Sequence, residues 1–315
     1  MSIHLEKTCP PLLIIGFRRS KNLAELLDQA KTMGAPRIYV ALDGPRNSTD
    51  WKETQECESV VRHFEKLNPS LIRIRQSTEN LGSAVSVLSA CDWIFSTEDF
   101  AIIMEDDCRP SPDFFKYVAD AESVLSNNSR AMLICGTQFA PELVTGNRWS
   151  YSSYPLMWGW ATSKVKWKLL RGLVLGRFAD ENEVFDLRKT ELIYWKEGAR
   201  RALEGFVDAW DIPLVYGMRR LGLLTILPPT NLVVNSGNDE YATHTLGTAD
   251  GLNRVTEPYF KSEIGPEFNP DLDKWLSKNF YGISFRHRYS TQITKLFDAL
   301  GFNARKRAPL RNRWN

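Results

Sequence analysis

Four short apolar runs in the first third of the chain are separated by segments with helical periodicity. The runs cover Leu12 to Ile15, Ile38 to Leu42, Leu71 to Arg75 and Ala101 to Met104. Short branched runs of this kind are typical of strands buried on both faces of a parallel sheet. Their alternation with helices predicts an α/β fold, a mostly parallel sheet with helices on both faces and right-handed crossovers.

The third run differs because Arg73 and Arg75 interrupt it, which predicts a strand near the sheet edge. The intervening helices are predicted from residues spaced on one face. A Ser20 N-cap and a Gly34 stop bound the first helix, and the third is expected from about residue 83 to 95. The face residues of the first two are Leu23, Leu26, Leu27, Ala30 and Met33, then Val60, Val61, Phe64 and Leu67.

The fourth run ends in three consecutive carboxylates, Glu105, Asp106 and Asp107. In open α/β sheets the ligand crevice lies outside the carboxyl ends of the strands. An extended chain would send Glu105 and Asp107 to one side and Asp106 to the other. Adjacent like charges need a cation or several donors, so the triplet predicts a divalent metal, Mg²⁺ or Mn²⁺, held by oxygen ligands. A solvated acidic turn is the alternative.

Further along, a helix is expected from about residue 113 to 125, followed by a short strand, Ala131 to Cys135. Five aromatic residues then fall within twelve positions: Trp149, Tyr151, Tyr154, Trp158 and Trp160. Such clusters stack on sugars or bases, or else anchor a long loop in the core, and both interpretations stay open. Asp211 is expected at or near a helix N-terminus, where a carboxylate cap is the alternative to a functional role.

Several classes of protein are excluded by what the sequence lacks. It contains neither GxxxxGK[ST] nor GxGxxG, so no phosphate loop or dinucleotide fingerprint supports a kinase or a dehydrogenase. The five cysteines have no CxxC spacing, which indicates neither a disulfide scaffold nor a zinc site. The brief apolar run near the N-terminus is too short for a signal-peptide core, and no run approaches membrane-spanning length. We therefore expect a cytoplasmic protein.

Charge is distributed unevenly along the chain. Residues 281 to 315 hold eight Lys or Arg and one acidic residue, a net +7, which leaves −5 for residues 1 to 280. Apolar residues within this tail share one helical face and precede a basic cluster, a combination that predicts contact with an anionic membrane surface. The alternatives are a helix whose apolar face packs back on the domain, and a solvated terminus; no nucleic-acid partner is expected. The face and the cluster consist of Ile293, Leu296, Phe297 and Leu300, then Arg305, Lys306, Arg307, Arg311 and Arg313.

Seven residue strings, in order along residues 11 to 247, make the chain resemble nucleotide-sugar glycosyltransferases of the GT-A (Rossmann-like) fold, such as N-acetylglucosaminyltransferase I and the bacterial hemolytic protein HlpA-like family. The strongest is MEDDCRPSPDFFKY, which contains the acidic triplet. Relatives often carry a basic residue shortly after NLG, whereas Ser83 and Ala84 follow here. The other six strings are PLLIIGFRRS (11–20), ALDG at Asp43, NLG (80–82), YPLMWGWAT (154–162), AWD (209–211) and YATHT (241–245).

The resemblance implies roles for the residues at the strand ends. Asp107 would bind the metal, which bridges the two phosphates of the donor. Asp106 and Glu105 would hold the ribose and the donor sugar. Arg19 would approach the nucleotide or its diphosphate, and Asp43 would accept a hydrogen bond from the base.

Further roles are implied for residues in the second half of the chain. Asp211 would be the general base that takes the proton from the acceptor hydroxyl, with Asp208 as the reserve candidate. His244 would complete the metal shell or contact the phosphates. Trp158 and Trp160 are the candidates for stacking on the nucleotide sugar.

The function expected from these roles is a metal-dependent, inverting glycosyltransferase. Its donor would be a nucleoside-diphosphate sugar, with a UDP-sugar favoured, and its acceptor a glycan or a lipid-linked hydroxyl. Residues 1–247 would form the catalytic domain, and residues 248–315 a C-terminal extension with a helical, basic tail. The alternatives are a nucleotidyltransferase that makes nucleotide sugars and a catalytically idle nucleotide-sugar-binding module. A nucleotidyltransferase is expected to carry a glycine-rich basic loop after the first strand, and GFRRSKN matches that poorly.

Overall fold

A computed structural model describes residues 9–144, 146–178, 188–237, 258–261, 265–284, 286–303 and 305–313. Strands and helices alternate through the first half of the chain and become irregular later. The strands are β1 Leu12–Gly16, β2 Ile38–Leu42, β3 Ile72–Gln76, β4 Phe100–Glu105, β5 Cys108–Pro110, β6 Ala131–Cys135, β7 Ser150–Ser152, β8 Trp160–Ser163, β9 Leu224–Leu227, β10 Val233–Asn235 and β11 Glu267–Phe268. The helices are α1 Ser20–Thr32, α2 Ser48–Leu67, α3 Ser83–Thr97, α4 Pro112–Asn127, α5 Lys164–Val174, α6 Lys189–Leu203, α7 Asp211–Arg220, α8 Pro270–Trp275, α9 His287–Ala299 and α10 Leu310–Arg313.

Nine strands form one mixed, mostly parallel sheet in the order β11-β7-β9-β6-β8-β4-β1-β2-β3. β1 pairs in parallel with both β2 and β4, which places it at the centre of the parallel part. β8 runs antiparallel to β4 and β6 and lies between them. β3 is an edge strand, as its two arginines predicted, and the side chains of Arg73 and Arg75 are exposed there.

Two hydrophobic cores lie on opposite faces of this sheet. One contains buried residues of α3, α5, α6 and α7, and the other contains those of α1, α2 and α4. Alternate residues of β1 divide between them: Leu13 and Ile15 face the first core, and Leu12 and Ile14 face the second. The prediction of an α/β fold with helices on both faces is therefore confirmed.

The carboxyl ends of β1, β2 and β4 lie side by side because the three strands are adjacent and parallel. A separate two-stranded ribbon, β5 with β10, follows directly after the acidic triplet. Asp107 and Ser236 border this ribbon, and the Ser236 amide donates to the Asp107 carbonyl oxygen at 2.8 Å. The ribbon fixes the backbone beyond the triplet, so the turn that carries its carboxylates is held at both ends.

The described part of the C-terminal extension packs on the body of the protein. Leu272, Leu276 and Leu310 are fully buried in the first core, and Tyr259 lies in the second. β11 adds to the end of the large sheet by pairing with β7. Of the described helices, none is long and apolar enough to cross a membrane.

Candidate functional site

A cleft of about 1200 Å³ opens at the carboxyl ends of β1, β2 and β4. Gly16, Asp43 and Glu105 bring these three strand ends to its wall. The N-terminal residues of α3 and α7, Ser83 and Asp211, line it from the other side. This is the position that the parallel topology predicted for a ligand crevice.

Asp106 turns away from its two neighbours and fixes the loop that follows β1. Its Oδ2 accepts a hydrogen bond from the Phe17 amide at 2.7 Å, and its Oδ1 lies 3.2 Å from the Arg19 guanidinium. The side chain is almost fully buried. Burial raises the pKa of Asp106, and the charge of Arg19 opposes that rise. Asp106 therefore positions the Phe17–Arg19 loop at the cleft wall.

Glu105 and Asp107 line the cleft with the other two carboxyl groups of the triplet. Burial, followed by the charges of Asp107, Asp106 and Asp211, raises the pKa of Glu105 to about 8. Burial and the charge of Asp106 raise the pKa of Asp107 to about 6, although Arg19 lies 3.7 Å from its Oδ2. Both shifts disfavour the ionised forms, so a cation bound beside Glu105 and Asp107 would stabilise the two carboxylates.

Asp43 is saturated with hydrogen bonds from the loop that precedes α3. Its Oδ1 accepts the amides of Gly44 and Leu81 at 2.9 and 2.8 Å. Its Oδ2 accepts the Asn80 side-chain amide at 3.0 Å and the Gly82 amide at 3.2 Å. Asp43 lines the cleft, but its first role in the fold is to hold the Asn80–Gly82 loop against the end of β2.

Asp208 and Asp211 are three residues apart and have different surroundings. Asp208 accepts the Ser83 amide at 3.0 Å at the start of α3, and its carboxylate pairs with Arg307 and Arg313 at 3.5 and 3.3 Å. Asp211 is the first residue of α7, as predicted. Asp211 and Glu105 both line the cleft, and the charge of Asp211 contributes to raising the pKa of Glu105.

The two tryptophans predicted to stack on the nucleotide sugar, Trp158 and Trp160, lie in different surroundings. Trp158 is half-buried and lines the cleft, with its ring edge against Phe139 at 5.1 Å between ring centroids. Trp160 is only 2% exposed and packs between Trp167 and Trp210 in the first core, so it does not reach the cleft. Trp160 begins β8, and because alternate strand residues face opposite sides, this side chain points into the sheet's core rather than towards a ligand.

Asp107 is the residue that decides whether this cleft could bind a divalent metal ion. Among the described residues, no three His, Cys, Asp or Glu side chains are gathered to hold a metal ion. Asp107 is 19% exposed, and a Cβ atom at Gly237 would lie 2.6 Å from its Oδ2, so the glycine leaves room beside this oxygen. Mg²⁺ is commonly bound by one or two carboxylates together with substrate phosphates. The residues present fit a metal shared with a diphosphate and do not form a closed protein site. His244 lies outside the described residues.

Several residues that line the cleft were not predicted to do so from the sequence, and two of them, Lys306 and Arg307, were expected in the basic cluster of the tail. Arg307 is the most informative, because its guanidinium contacts Asn80 in the NLG loop and the carboxylate of Asp208. Arg307 therefore brings a positive charge to the NLG loop, which is not followed by the basic residue that relatives often carry. More than 200 positions separate Arg307 from Asn80, so local sequence patterns give no signal for this contact. The others include Arg46, Tyr194, Arg201, His287 and Lys306.

Comparison with known proteins gives only distant structural similarity. No family model matches the sequence, and no curated protein matches it. One similar solved structure is a UDP-glucose pyrophosphorylase complexed with UDP-glucose: 7% identity, 70% of this chain and 89% of that chain covered, TM-score 0.36. Another is a 4-diphosphocytidyl-2C-methyl-D-erythritol synthase from Anaerococcus prevotii: 12% identity, 56% and 80% covered, TM-score 0.34. A third is an inositol-1-phosphate CTP transferase from T. maritima: 10% identity, 69% and 84% covered, TM-score 0.34.

These proteins are nucleotidyltransferases by name, the class raised above as the alternative, and not glycosyltransferases. The comparisons give no support to the resemblance to N-acetylglucosaminyltransferase I or to the HlpA-like family. At these identities and TM-scores the likeness carries no argument about this chain, so its function has to be argued from the cleft.

Proposed function

We propose that the protein is a metal-dependent glycosyltransferase that moves a sugar from a nucleoside-diphosphate donor to a hydroxyl acceptor. The observation that carries the proposal is the position of Glu105 and Asp107, two carboxyl groups at the end of β4 that line a cleft of about 1200 Å³. A divalent cation bound to a diphosphate supplies positive charge at such a place. The cleft is also large enough for a donor and an acceptor together.

Each side chain then has a task that its surroundings allow. Asp107 would hold Mg²⁺ or Mn²⁺, and the metal, when bound, stabilises negative charge on the leaving diphosphate. Arg19, held by Asp106, would face the same phosphates. Glu105 would contact the donor sugar, and Asp106 the ribose while it fixes the loop. Trp158 would stack on the nucleotide sugar at the cleft wall. Asp43 would hold the Asn80–Gly82 loop in position to contact the base.

Asp211 is the proposed general base. As the nucleophilic hydroxyl of the acceptor approaches the anomeric carbon, Asp211 takes its proton, and the bond from that carbon to the diphosphate oxygen breaks. Attack from the face opposite the leaving group inverts the anomeric configuration. Asp208 stays the reserve candidate, although its contacts with Ser83, Arg307 and Arg313 suit a positioning role better.

A nucleotidyltransferase would use the same cleft with a nucleoside triphosphate. That class is expected to carry a glycine-rich basic loop after the first strand, whose backbone amides hold the phosphates. Here the loop GFRRSKN contains one glycine, and the Phe17 amide is bonded to Asp106. The two activities release different products, a nucleoside diphosphate or pyrophosphate, and a product assay separates them.

The proposal is tested by titrating the protein calorimetrically with nucleoside diphosphates and their sugars, with and without Mn²⁺. We expect Mn²⁺-dependent binding that Asp107→Asn weakens at least a hundredfold. Asp271→Asn is the matched control, because Asp271 is an exposed carboxylate on α8 and its pair with Lys274 lies at the surface. Full Mn²⁺-dependent affinity in Asp107→Asn would refute the assignment, and binding without sugar transfer or donor hydrolysis would identify an idle module.

A further inference from the structure

Helix α9 presents its apolar face to solvent and its polar face to the protein. Ile293, Leu296, Phe297 and Leu300 are 43 to 60% exposed, and Phe302, which follows the helix, is 72% exposed. The rings of Phe297 and Phe302 are in contact, with centroids 5.6 Å apart. We call these five residues the α9 stripe. The spacing of the first four, at i, i+3, i+4 and i+7, puts them on one side of the helix.

The opposite side of α9 is attached to α6 by polar contacts that fix the orientation of the helix. Asp298 is only 4% exposed and pairs with Arg200 and with Arg201, the latter at 2.9 Å. Asn303 donates to the same carboxylate at 2.7 Å, and the ring of His287 meets that of Tyr194 edge to face. Turning the α9 stripe inward would break these contacts and bury charge, so the stripe is held outward by the fold.

Exposed cations lie at both ends of the α9 stripe. Arg286 precedes Ile293 by seven residues and therefore lies on the same side of the helix, while Arg305 and Lys306 follow Phe302. The net +7 of residues 281 to 315 includes Arg307 and Arg313, which pair with Asp208, so the cations of this surface are Arg286, Arg305 and Lys306. An apolar strip with basic residues around it matches an anionic lipid surface, whose acyl region takes the apolar side chains and whose head groups take the cations.

We propose that the α9 stripe and its flanking cations bind the surface of an anionic membrane. Ile293, Phe297 and Lys306 belong to this surface and also line the mouth of the cleft. Docking would hold the cleft mouth at the lipid head groups, where a membrane-bound molecule can enter it. Membrane binding by this surface does not depend on the reaction proposed for the cleft.

The test is flotation of the full chain with vesicles of phosphatidylcholine alone or with 30% phosphatidylglycerol. We expect binding to the anionic vesicles only, and a loss of at least tenfold in Leu296→Asp/Leu300→Asp. Val165→Asp is the matched control, since Val165 is an exposed apolar residue on α5, and its binding should equal that of the wild type. Arg286→Ser/Lys306→Ser leaves the stripe intact and should weaken binding by about fivefold for each cation removed.

Circular dichroism and thermal unfolding should show that all three variants fold like the wild type. Equal binding to neutral and anionic vesicles would overturn the proposal, as would no binding at all. A concentration-dependent dimer that Leu296→Asp/Leu300→Asp dissociates, without lipid binding, would instead identify the stripe as an interface between copies of this chain.

Discussion

Adjacent carboxylates in the acidic triplet perform different tasks because their oxygens meet different groups. Asp106 meets the Phe17 amide and Arg19, so its charge is used within the protein. Asp107, the next residue, has one longer contact with Arg19 and keeps exposed surface in the cleft. A substitution at Asp106 would therefore move the loop, whereas one at Asp107 would change what the cleft binds.

The same distinction separates Asp211 from Asp208 and leads to a prediction. If Asp211 is the base, Asp211→Asn should leave donor binding and thermal stability close to wild type while sugar transfer falls by roughly 10²- to 10⁴-fold. Donor binding is measured by calorimetry and transfer by release of the nucleoside diphosphate in the presence of acceptor.

Asp208→Asn provides the comparison. It weakens a cap on α3 and leaves Arg307 and Arg313 without their carboxylate, so we expect a lower melting temperature. A wild-type transfer rate in Asp211→Asn, or a transfer defect confined to Asp208→Asn with no loss of stability, would reverse the two roles.

Among the secondary-structure elements, the C-terminal segment has the largest effect on the cleft. After α9 the chain runs past the end of α6, where the amides of Lys306 and Arg307 donate to the Gly205 carbonyl at 2.9 and 3.0 Å. It then places Arg307 at Asn80 and ends in α10, with Leu310 buried. Residues 305–313, which we call the strap, thus hold the loop before α3.

Two helix C-termini allow the strap to be tested by a matched pair of glycine substitutions. Gly205 follows α6 and Gly34 follows α1; both have positive φ, +83° and +73°, and both close a helix with the same pattern of amide bonds. A Cβ atom at Gly34 would meet nothing within 4 Å, whereas one at Gly205 would lie 2.1 Å from the Arg307 carbonyl oxygen.

Gly34→Ala should therefore cost about 1 kcal/mol of unfolding free energy, the price of the left-handed conformation. Gly205→Ala should cost the same amount plus displacement of the strap, about 2 to 4 kcal/mol in all. Urea unfolding measures the difference, and limited proteolysis should cut the C-terminal segment faster in Gly205→Ala alone. Equal effects of the two substitutions would mean that the strap does not depend on this contact.

At the scale of the whole molecule, a buried polar network joins elements that are distant in sequence. Glu191 on α6 accepts from Arg219 on α7 at 3.0 Å, from Arg188 at 2.7 Å and from the Tyr154 hydroxyl at 3.2 Å. Arg219 also lies over the ring of Tyr154, 4.0 Å from its centroid. Both members of the Glu191–Arg219 pair are less than 10% exposed, so each needs the other to compensate for its burial.

This pair predicts how stability depends on pH. Burial alone would raise the pKa of Glu191, but hydrogen bonds from Arg188 and Ser277 and the charge of Arg219 hold it below its ordinary value. A carboxyl whose pKa is lower in the folded state stabilises the protein above its unfolded pKa, near 4.3, and loses that contribution as pH falls through the folded value. We expect the unfolding free energy to decline below about pH 4.5.

Glu191→Gln removes this contribution and leaves Arg219 without its charged partner. We expect a loss of about 3 kcal/mol at pH 7 and a shallower decline between pH 5 and pH 3, measured by urea unfolding. Glu267→Gln is the control, because Glu267 pairs with Arg148 at an exposed site, and its effect should stay below about 1 kcal/mol. A wild-type pH profile in Glu191→Gln would contradict the role assigned to the pair.

The sequence by itself determined the local elements and their class. Strands β2 and β6 have the predicted bounds, β3 is at the edge, and the acidic triplet ends β4 at the cleft. These features depend on short-range patterns: alternation, helical spacing and the burial of apolar runs. The topology that brings strand ends to one rim then follows from parallel pairing.

Only the tertiary structure decided which partners the polar side chains have. It bonded Asp43 to the Asn80–Gly82 loop, placed Trp160 in the core, and brought Arg307 to a loop more than 200 residues away. It also turned the apolar face of α9 outward, where packing on the domain was one of the expected outcomes, since Asp298 is held by Arg200 and Arg201. Charges and hydrogen bonds act between neighbours in space, and long-range neighbours are set by the fold, so a sequence pattern does not contain them.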